Sequence, residues 1–374
     1  MVQKEIEMIY KSMHRFVCSS FVALLFSVSL VASLHIFAVS VRPATAVQFT
    51  GGMSFPRGLK FGPDGFLYVA ESGPGGNIST VGQCEQVPAP VGPWTGGNNG
   101  RISRINSIGV RSTVADNFPS SFSVVGGELG VADIAFLDGK LYAVITGGGC
   151  SHGHINPAEN NGVVRINSDG SRTLIADLSE FVKNNETADP EPGDFEPDGT
   201  PYSMVAAKGS LFVVEANHGQ VIQVDPGPGD TAKISRLADI SATFGHNVPT
   251  AMAYHGNLYV GNLGTFPISV GSSRIIKITP SGRMKTVATG LTAVLGVAFD
   301  KDSNLYALEM STVDGDFPVP GSGRVVRILD DGTLVPVVTG LMLPTAMTFG
   351  PDNNLYISNW GFGPPLGEIL KVTL

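Results

Sequence analysis

Charge is scarce in this sequence. Asp, Glu, Lys and Arg make up only 15% of its 374 residues, and the basic ones nowhere gather into a patch. Without a patch to neutralise phosphates, nucleic acid is excluded as a partner. Recognisable catalytic signatures are also missing. No nucleophile elbow, zinc motif, phosphate-binding glycine loop or Ser-His-Asp arrangement can be found. Pro320-Gly321-Ser322-Gly323 comes nearest to an elbow, but its spacing is wrong and it reads as a turn. Cysteine is rare, with three in the chain, and tryptophan rarer, with two.

One long apolar run is present, Phe16–Val41, preceded by Lys4, Lys11 and Arg15. With Ala44-Thr45-Ala46 as a small-x-small cleavage signal, residues 1–46 read as a secretory signal peptide. Met13 offers a second start for it. The run is also long enough to span a bilayer, so an uncleaved N-terminal anchor is the alternative. Residues 47–374 form the mature part. Lys4, Lys11, Arg15 and Arg42 leave with the leader, as do Glu5 and Glu7. Of 24 basic and 32 acidic residues, 20 and 30 remain, a net charge of −10.

What is abundant is glycine, 47 residues, with 25 prolines. That composition suits tight turns between short strands. A hairpin signature returns six times: Phe55–Ser72, Val131–Gly147, Pro201–Ala216, Pro249–Leu263, Val294–Ser311 and Pro344–Trp360. Its aromatic anchors are Tyr68, Tyr142, Phe212, Tyr259, Tyr306 and Tyr356, so the first two repeats carry insertions. Four strands per repeat predict an all-β, six-bladed β-propeller. The sixth hairpin is followed by one strand only, Glu368–Leu374. The segment Val47–Met53 is predicted to complete blade 6 and close the ring.

Cys18 lies in the leader, which leaves Cys84 and Cys150. An even pair in an exported chain favours a disulfide. Both follow the second strand of adjacent blades, so their loops share one face.

Three residues after each anchor stand Glu71, Ile145, Glu215, Asn262, Glu309 and Asn359. Such strand ends are expected to converge on one mouth of the central channel. Their oxygens suit a small polar ligand or one divalent cation, Ca²⁺ or Mg²⁺. Arg57 enters the same mouth, to pair with a glutamate or hold an anionic group. On the inner strands, Gly58, Asp133, Ser203, Ala251, Gly296 and Ala346 align. Asp133 breaks this ring of small residues and calls for a partner or water. His152, His154, His218 and His246 belong to the same face and are expected to be exposed. Asp194-x-Glu196-x-Asp198-Gly199 starts like a calcium loop, but Val205 stands where the closing Glu belongs. The stretch Glu186–Asp198 is therefore expected to be a solvated acidic loop. Trp94 and Trp360, in this face's loops, are candidates for stacking on a ligand.

The segments 56–73, 98–106 and 201–209 resemble the ScyD/ScyE family of exported propellers. The most specific stretch is 248–278, with the insertion Gly261–Gly271 that holds Phe266-Pro267. Residues 344–361 are similar to that family's closing blade. This resemblance covers 47–374. It implies an NHL-like, TolB-like six-bladed fold in a secreted, monomeric protein, and it carries no catalytic residues. Blade 2 departs from the pattern, because VADIAF lacks the usual Pro-His before Asp133.

Three functional expectations follow. The first is a binding or scaffold propeller, taking a small polar ligand, a cation or a protein partner on the top face. The second is a metal-dependent lactonase of the gluconolactonase-like type, with Glu71, Asn262 and Glu309 around the ion. The third, a quinone-dependent sugar dehydrogenase, rests only on Arg57 and His246.

Overall fold

Asp64, Asp300 and Asp352 explain why the hairpin signature folds as it does. Each sits in the turn between the first two strands of its blade, and the anchor tyrosine returns to it. Tyr68, Tyr306 and Tyr356 donate their hydroxyls to these carboxylates at 2.9, 3.1 and 2.9 Å. Burial and the adjacent Asp300 raise the Tyr306 hydroxyl to about 12, so it stays a donor at any physiological pH.

The computed structural model describes residues 44–374, and they form six antiparallel sheets arranged as a propeller. Strand β1 (Ala46–Met53) belongs to the last blade. Blade 1 comprises β2 (Pro56–Phe61), β3 (Leu67–Glu71), β4 (Thr95–Ile105), β5 (Arg111–Ser123) and β6 (Gly127–Leu129). Blade 2 holds β7 (Val131–Leu137), β8 (Lys140–Ile145), β9 (Gly162–Ile166) and β10 (Arg172–Asp177). Blade 3 holds β11 (Pro201–Ala207), β12 (Ser210–Glu215), β13 (Gln220–Pro226) and β14 (Ala232–Asp239). Blade 4 holds β15 (Pro249–His255), β16 (Asn257–Asn262), β17 (Ser273–Ile278) and β18 (Met284–Leu291). Blade 5 holds β19 (Val294–Phe299), β20 (Leu305–Glu309), β21 (Gly323–Ile328) and β22 (Leu334–Leu341). Blade 6 holds β23 (Ala346–Phe349), β24 (Leu355–Asn359) and β25 (Gly367–Val372), and β1 is its outer strand.

Ring closure is thus as the sequence predicts. β1 pairs with β25 from Ala46↔Val372 to Met53↔Gly367. The expected leader lies outside the described residues, except for Ala44–Ala46. Among the described residues, no helix is long and apolar enough to cross a membrane.

Adjacent blades are joined by aromatic contacts. Tyr68 meets Phe136, Tyr259 meets Phe299 and Tyr306 meets Phe349, all edge-on with centroids about 5 Å apart. Tyr356 meets Phe61 in the same way, so blade 6 grips blade 1 as blades 1, 4 and 5 grip the blades that follow them. Such pairs add about 1 kcal/mol each beyond the area they bury.

The inner strands crowd near the axis, and Gly58 shows how closely. A Cβ there would lie 2.8 Å from the Asp133 Cα. Asp133 is buried and has partners on three blades. It faces Lys60 at 3.5 Å, accepts from Ser203 Oγ at 3.0 Å and Met204 N at 2.9 Å, and accepts from its neighbour Ile134 N at 2.8 Å. The exception in the ring of small residues is a buried clasp of blades 1, 2 and 3.

Candidate functional site

In five blades a bulge near the start of the inner strand breaks the pairing register. It lies at Arg57, Tyr202 and Leu295 among others, and a bulge re-aims its side chain. Arg57 of blade 1 donates to Tyr202 of blade 3 at 3.1 Å. These blades are not neighbours, so the contact crosses the axis. Arg57 also donates to Ser72 Oγ at 3.0 Å and to the Glu128 carbonyl. None of these partners is a strand-end glutamate. The rest of the mouth is apolar, with Leu295, Met310 and Leu343 packed together beside Leu263, Trp360 and Phe362. Above it, the short strand β6 folds over as a flap. Its Gly127 is pressed so tightly against the Phe362 ring that no Cβ would fit.

The strand-end acids and amides serve the backbone. Glu71 accepts from Ser54 N at 2.6 Å, Glu215 from Thr200 N at 2.7 Å and Glu309 from Thr292 N at 2.8 Å. Asn359 accepts from Met342 N at 2.9 Å, and Asn262 from Arg274 N at 2.8 Å. Four of these donors belong to the connection that leads into the inner strand of the same blade. There the chain turns through a left-handed residue in four blades, Phe55, Val248, Ala293 and Leu343, at φ 54°, 50°, 47° and 44°. Non-glycine residues rarely adopt that conformation, and each costs on the order of 1–3 kcal/mol. A buried oxygen at Glu71, Glu309 and Asn359 holds the amide just before the bend. In blade 2 the position is the apolar Ile145, and Asn161 holds a different amide, Gly148 N after the second strand, at 2.7 Å.

This arrangement decides whether Glu71, Asn262 and Glu309 suit a divalent cation. Glu309 is ion-paired with Arg324 Nε at 2.5 Å. Glu71 takes the Ser103 hydroxyl and faces Arg111 and Arg101 at 3.4 and 3.6 Å. A cation would have to displace arginines and leave buried amides unpaired, so the donor set does not fit one. Among the described residues, no group of three or more His, Cys, Asp or Glu comes together as a metal site.

The chemistry gathers elsewhere, in the inserted loops of blades 1 to 3. Cys84 and Cys150 are bonded, with Cα atoms 6.3 Å apart. Helix α1 (Leu178–Asn184) begins at Asp177, whose side chain accepts from Glu180 N at 2.9 Å. It buries Leu178 and Val182 against blades 2 and 3, which presents Lys183 beside the disulfide. Between them opens a cavity of about 500 Å³, lined by Cys84, Glu85, Cys150, Val182, Lys183, Glu186, Phe195, Pro197, Asp198 and His218. At the opposite end of the blades, the hairpin turns enclose only a hollow of about 80 Å³, beside Asp138 and Gly209.

Two expectations about this region are corrected. The acidic stretch is not simply solvated, because Glu196 and Asp198 are buried. Asp198 accepts from Lys183 Nζ, Ser151 Oγ and Ser151 N, each at 2.7 Å. Burial would raise its carboxyl, but these donors outweigh it and hold the group below the usual range. The histidines are not exposed either. His152, His154 and His218 are buried, and each faces a carboxylate: Glu196 at 3.6 Å, Glu159 at 3.4 Å and Glu215 at 3.2 Å. His246 reaches Asp194 at 3.1 Å. Trp94 stacks inward, near the His152 ring and against Val87 and Leu129, and offers no open face.

His218 and Glu215 form the most deeply buried couple beside the cavity. Glu215 is wholly buried, and it also accepts from Asn217 N at 3.1 Å and His218 N at 2.8 Å. Burial would raise its carboxyl, yet His218 and the amides lower it. For His218, burial disfavours the charged ring, but Glu215 first, then Glu196 and Glu186, raise it above its ordinary value. Sequence reasoning named Glu215 and His218 separately, and missed their pairing as well as Lys183 and Phe195. The i, i+3 spacing of Glu215 and His218 was the available signal.

No protein-family model matches the chain, and no curated protein does. Solved structures do match it. A gluconolactonase from Xanthomonas campestris is 12% identical, with 88% of this chain and 90% of that one covered and a TM-score of 0.54. A putative oxidoreductase (glucose dehydrogenase) from Thermus thermophilus is 16% identical, with 88% and 100% covered and a TM-score of 0.55. A protein of unknown function from Bacteroides thetaiotaomicron is 11% identical, with 88% and 76% covered and a TM-score of 0.55. At these identities the likeness shows the fold, a propeller of the kind that gluconolactonase-like proteins adopt.

Proposed function

We propose that this is an exported, ScyD/ScyE-like propeller that binds a small polyhydroxy ligand in the cavity between the disulfide and helix α1. The observation that carries the proposal is the lining. Glu85, Glu186 and Asp198 offer acceptors for hydroxyl groups, Lys183 and His218 offer donors, and Phe195, Pro197 and Val182 form an apolar wall. About 500 Å³ suits a ligand of one or two sugar rings. A disulfide fits an oxidising compartment.

Calorimetric titration of the mature protein with a panel of monosaccharides, disaccharides and aldonates tests this. Phe195→Ala should weaken the binding of whichever sugar is taken up about tenfold with the melting temperature kept. Lys183→Gln should weaken it about as much while lowering the melting temperature, because buried Asp198 loses its ion pair. Equal affinity in both variants would move the site elsewhere. Export is checked by sequencing the N-terminus of material recovered outside the cytoplasm. An intact Met1 or Met13 there would favour an anchor.

A second reading, opening of a cyclic sugar ester, is favoured by the histidine–carboxylate couple at the cavity. Two of the similar structures are named as a gluconolactonase and a putative glucose dehydrogenase, and likeness of fold gives that reading no more than context.

A further inference from the structure

The cavity has a feature that ligand binding alone does not require. His218 lines it, yet the residue is only 4% exposed and is buttressed from behind. Its Nδ1 stands 3.2 Å from Glu215 Oε2, an ionic contact that does not meet the geometry of a hydrogen bond. Such contacts often tighten only when substrate arrives. Glu215 itself cannot turn away, because Thr200 N, Asn217 N and His218 N fix its two oxygens. Phe195 packs edge-on against the imidazole, centroids 5.2 Å apart. Among the described residues, Nε2 has no hydrogen-bond partner. An imidazole held by Phe195, with a buried carboxylate beside one nitrogen and the other nitrogen free, is suited to proton transfer.

We propose that this cavity is a hydrolytic site, in which His218 Nε2 is the general base for water attacking an ester or lactone carbonyl of the bound molecule. Glu215 is the positioning residue. The proposal rests on the ligand-binding reading above. Water gives its proton to Nε2 as its oxygen bonds to the carbonyl carbon, and the carbonyl π electrons move onto oxygen. Lys183 is on the same cavity wall, with its ammonium held by Asp198 at 2.7 Å. When the intermediate collapses, the acyl C–O bond breaks, and the imidazolium returns the proton to the leaving alkoxide. Water is the only co-reactant.

The sign of the pH dependence follows from the surroundings. Glu215 on β12, Glu196 in the acidic segment and Glu186 after α1 all face the ring and favour its protonated form. The base is therefore active only above its raised pKa, and kcat/KM should rise with pH along a single ionisation that lies above 6.5.

Two probes test this, 4-nitrophenyl acetate followed by nitrophenolate release and glucono-1,5-lactone followed by pH-stat. The expected result is turnover of either probe above the buffer rate. His218→Gln should lower kcat/KM at least 100-fold. Glu215→Gln should move the rising limb to lower pH, because the charge that holds the proton is gone. If these variants fail to fold, the pH profile of the wild-type protein still decides. A profile with no limb above 6.5, or a His218→Gln protein that hydrolyses as fast as wild type, would overturn the proposal. If a sugar binds but neither probe is hydrolysed, catalysis falls and the binding reading stands. If nothing binds and nothing turns over, both fall.

Discussion

Blades 4 to 6 and blades 1 to 3 are built on one plan but use their polar residues differently. In blades 4 to 6 the anchors recur every 47 or 50 residues, and the strand-end polar residues hold bends and pair with neighbours. Glu309 takes Thr292 N and Arg324, while Asn359 takes Met342 N and donates to Glu368 at 2.8 Å. In blades 1 to 3 the same face carries the long insertions of blades 1 and 2, a disulfide, buried histidines and a cavity. Polarity at a strand end is therefore no sign of a site. What marks one is a buried polar group packed beneath an insertion, with an atom left over once the backbone is satisfied.

The comparison can be broken first at the disulfide. Cys84 and Cys150 are 66 residues apart, so chain entropy sets their contribution at about 4 kcal/mol. Cys84→Ser with Cys150→Ser should lower the melting temperature and loosen the cavity wall, so that sugar binding falls with it. Intact mass after alkylation, with and without reductant, should differ by two alkylated thiols. Equal masses would show that the bridge does not form. Next comes Glu309, in the regular half. Its removal as Glu309→Ala leaves Arg324 and a buried amide unpaired, a loss of about 3 kcal/mol. Ligand binding should be untouched once the protein is folded. A loss of binding with full stability would instead place the site at the strand ends. The smallest effect contrasts two aligned glycines. Gly58→Ala drives a methyl into Asp133, and Gly296→Ala meets the Leu308 and Met347 side chains. The first should cost about 2 kcal/mol more than the second, since a charged clasp yields less readily than flexible apolar chains. Equal denaturation midpoints would argue that Asp133 is not a clasp.

The architecture was legible because the repeat is written in short-range chemistry. A turn Asp and a tyrosine after it return in blades 1, 5 and 6, and the segment before Phe55 had only one strand left to complete. The cysteine pair followed from the positions of the loops. The site was less legible, for two reasons. Strand-end residues were read as facing the channel, although the bend at Phe55, Ala293 or Leu343 draws their oxygens to the backbone. The burial of His218 and Asp198 depends on how 178–198 folds over blade 3. That comes from packing between insertions and from no local pattern.

The pairing of β1 with β25 has a consequence for how the chain comes into being. The outer strand of the last blade is made first, and its partner is made more than three hundred residues later. Until then its backbone groups have no ladder to join, and local contacts cannot help. The five other blades can each form from consecutive strands as they emerge. The sixth, and with it the circle, waits until β25 has emerged, so that zipping step is the one that turns a row of independent hairpin stacks into a single cooperative object.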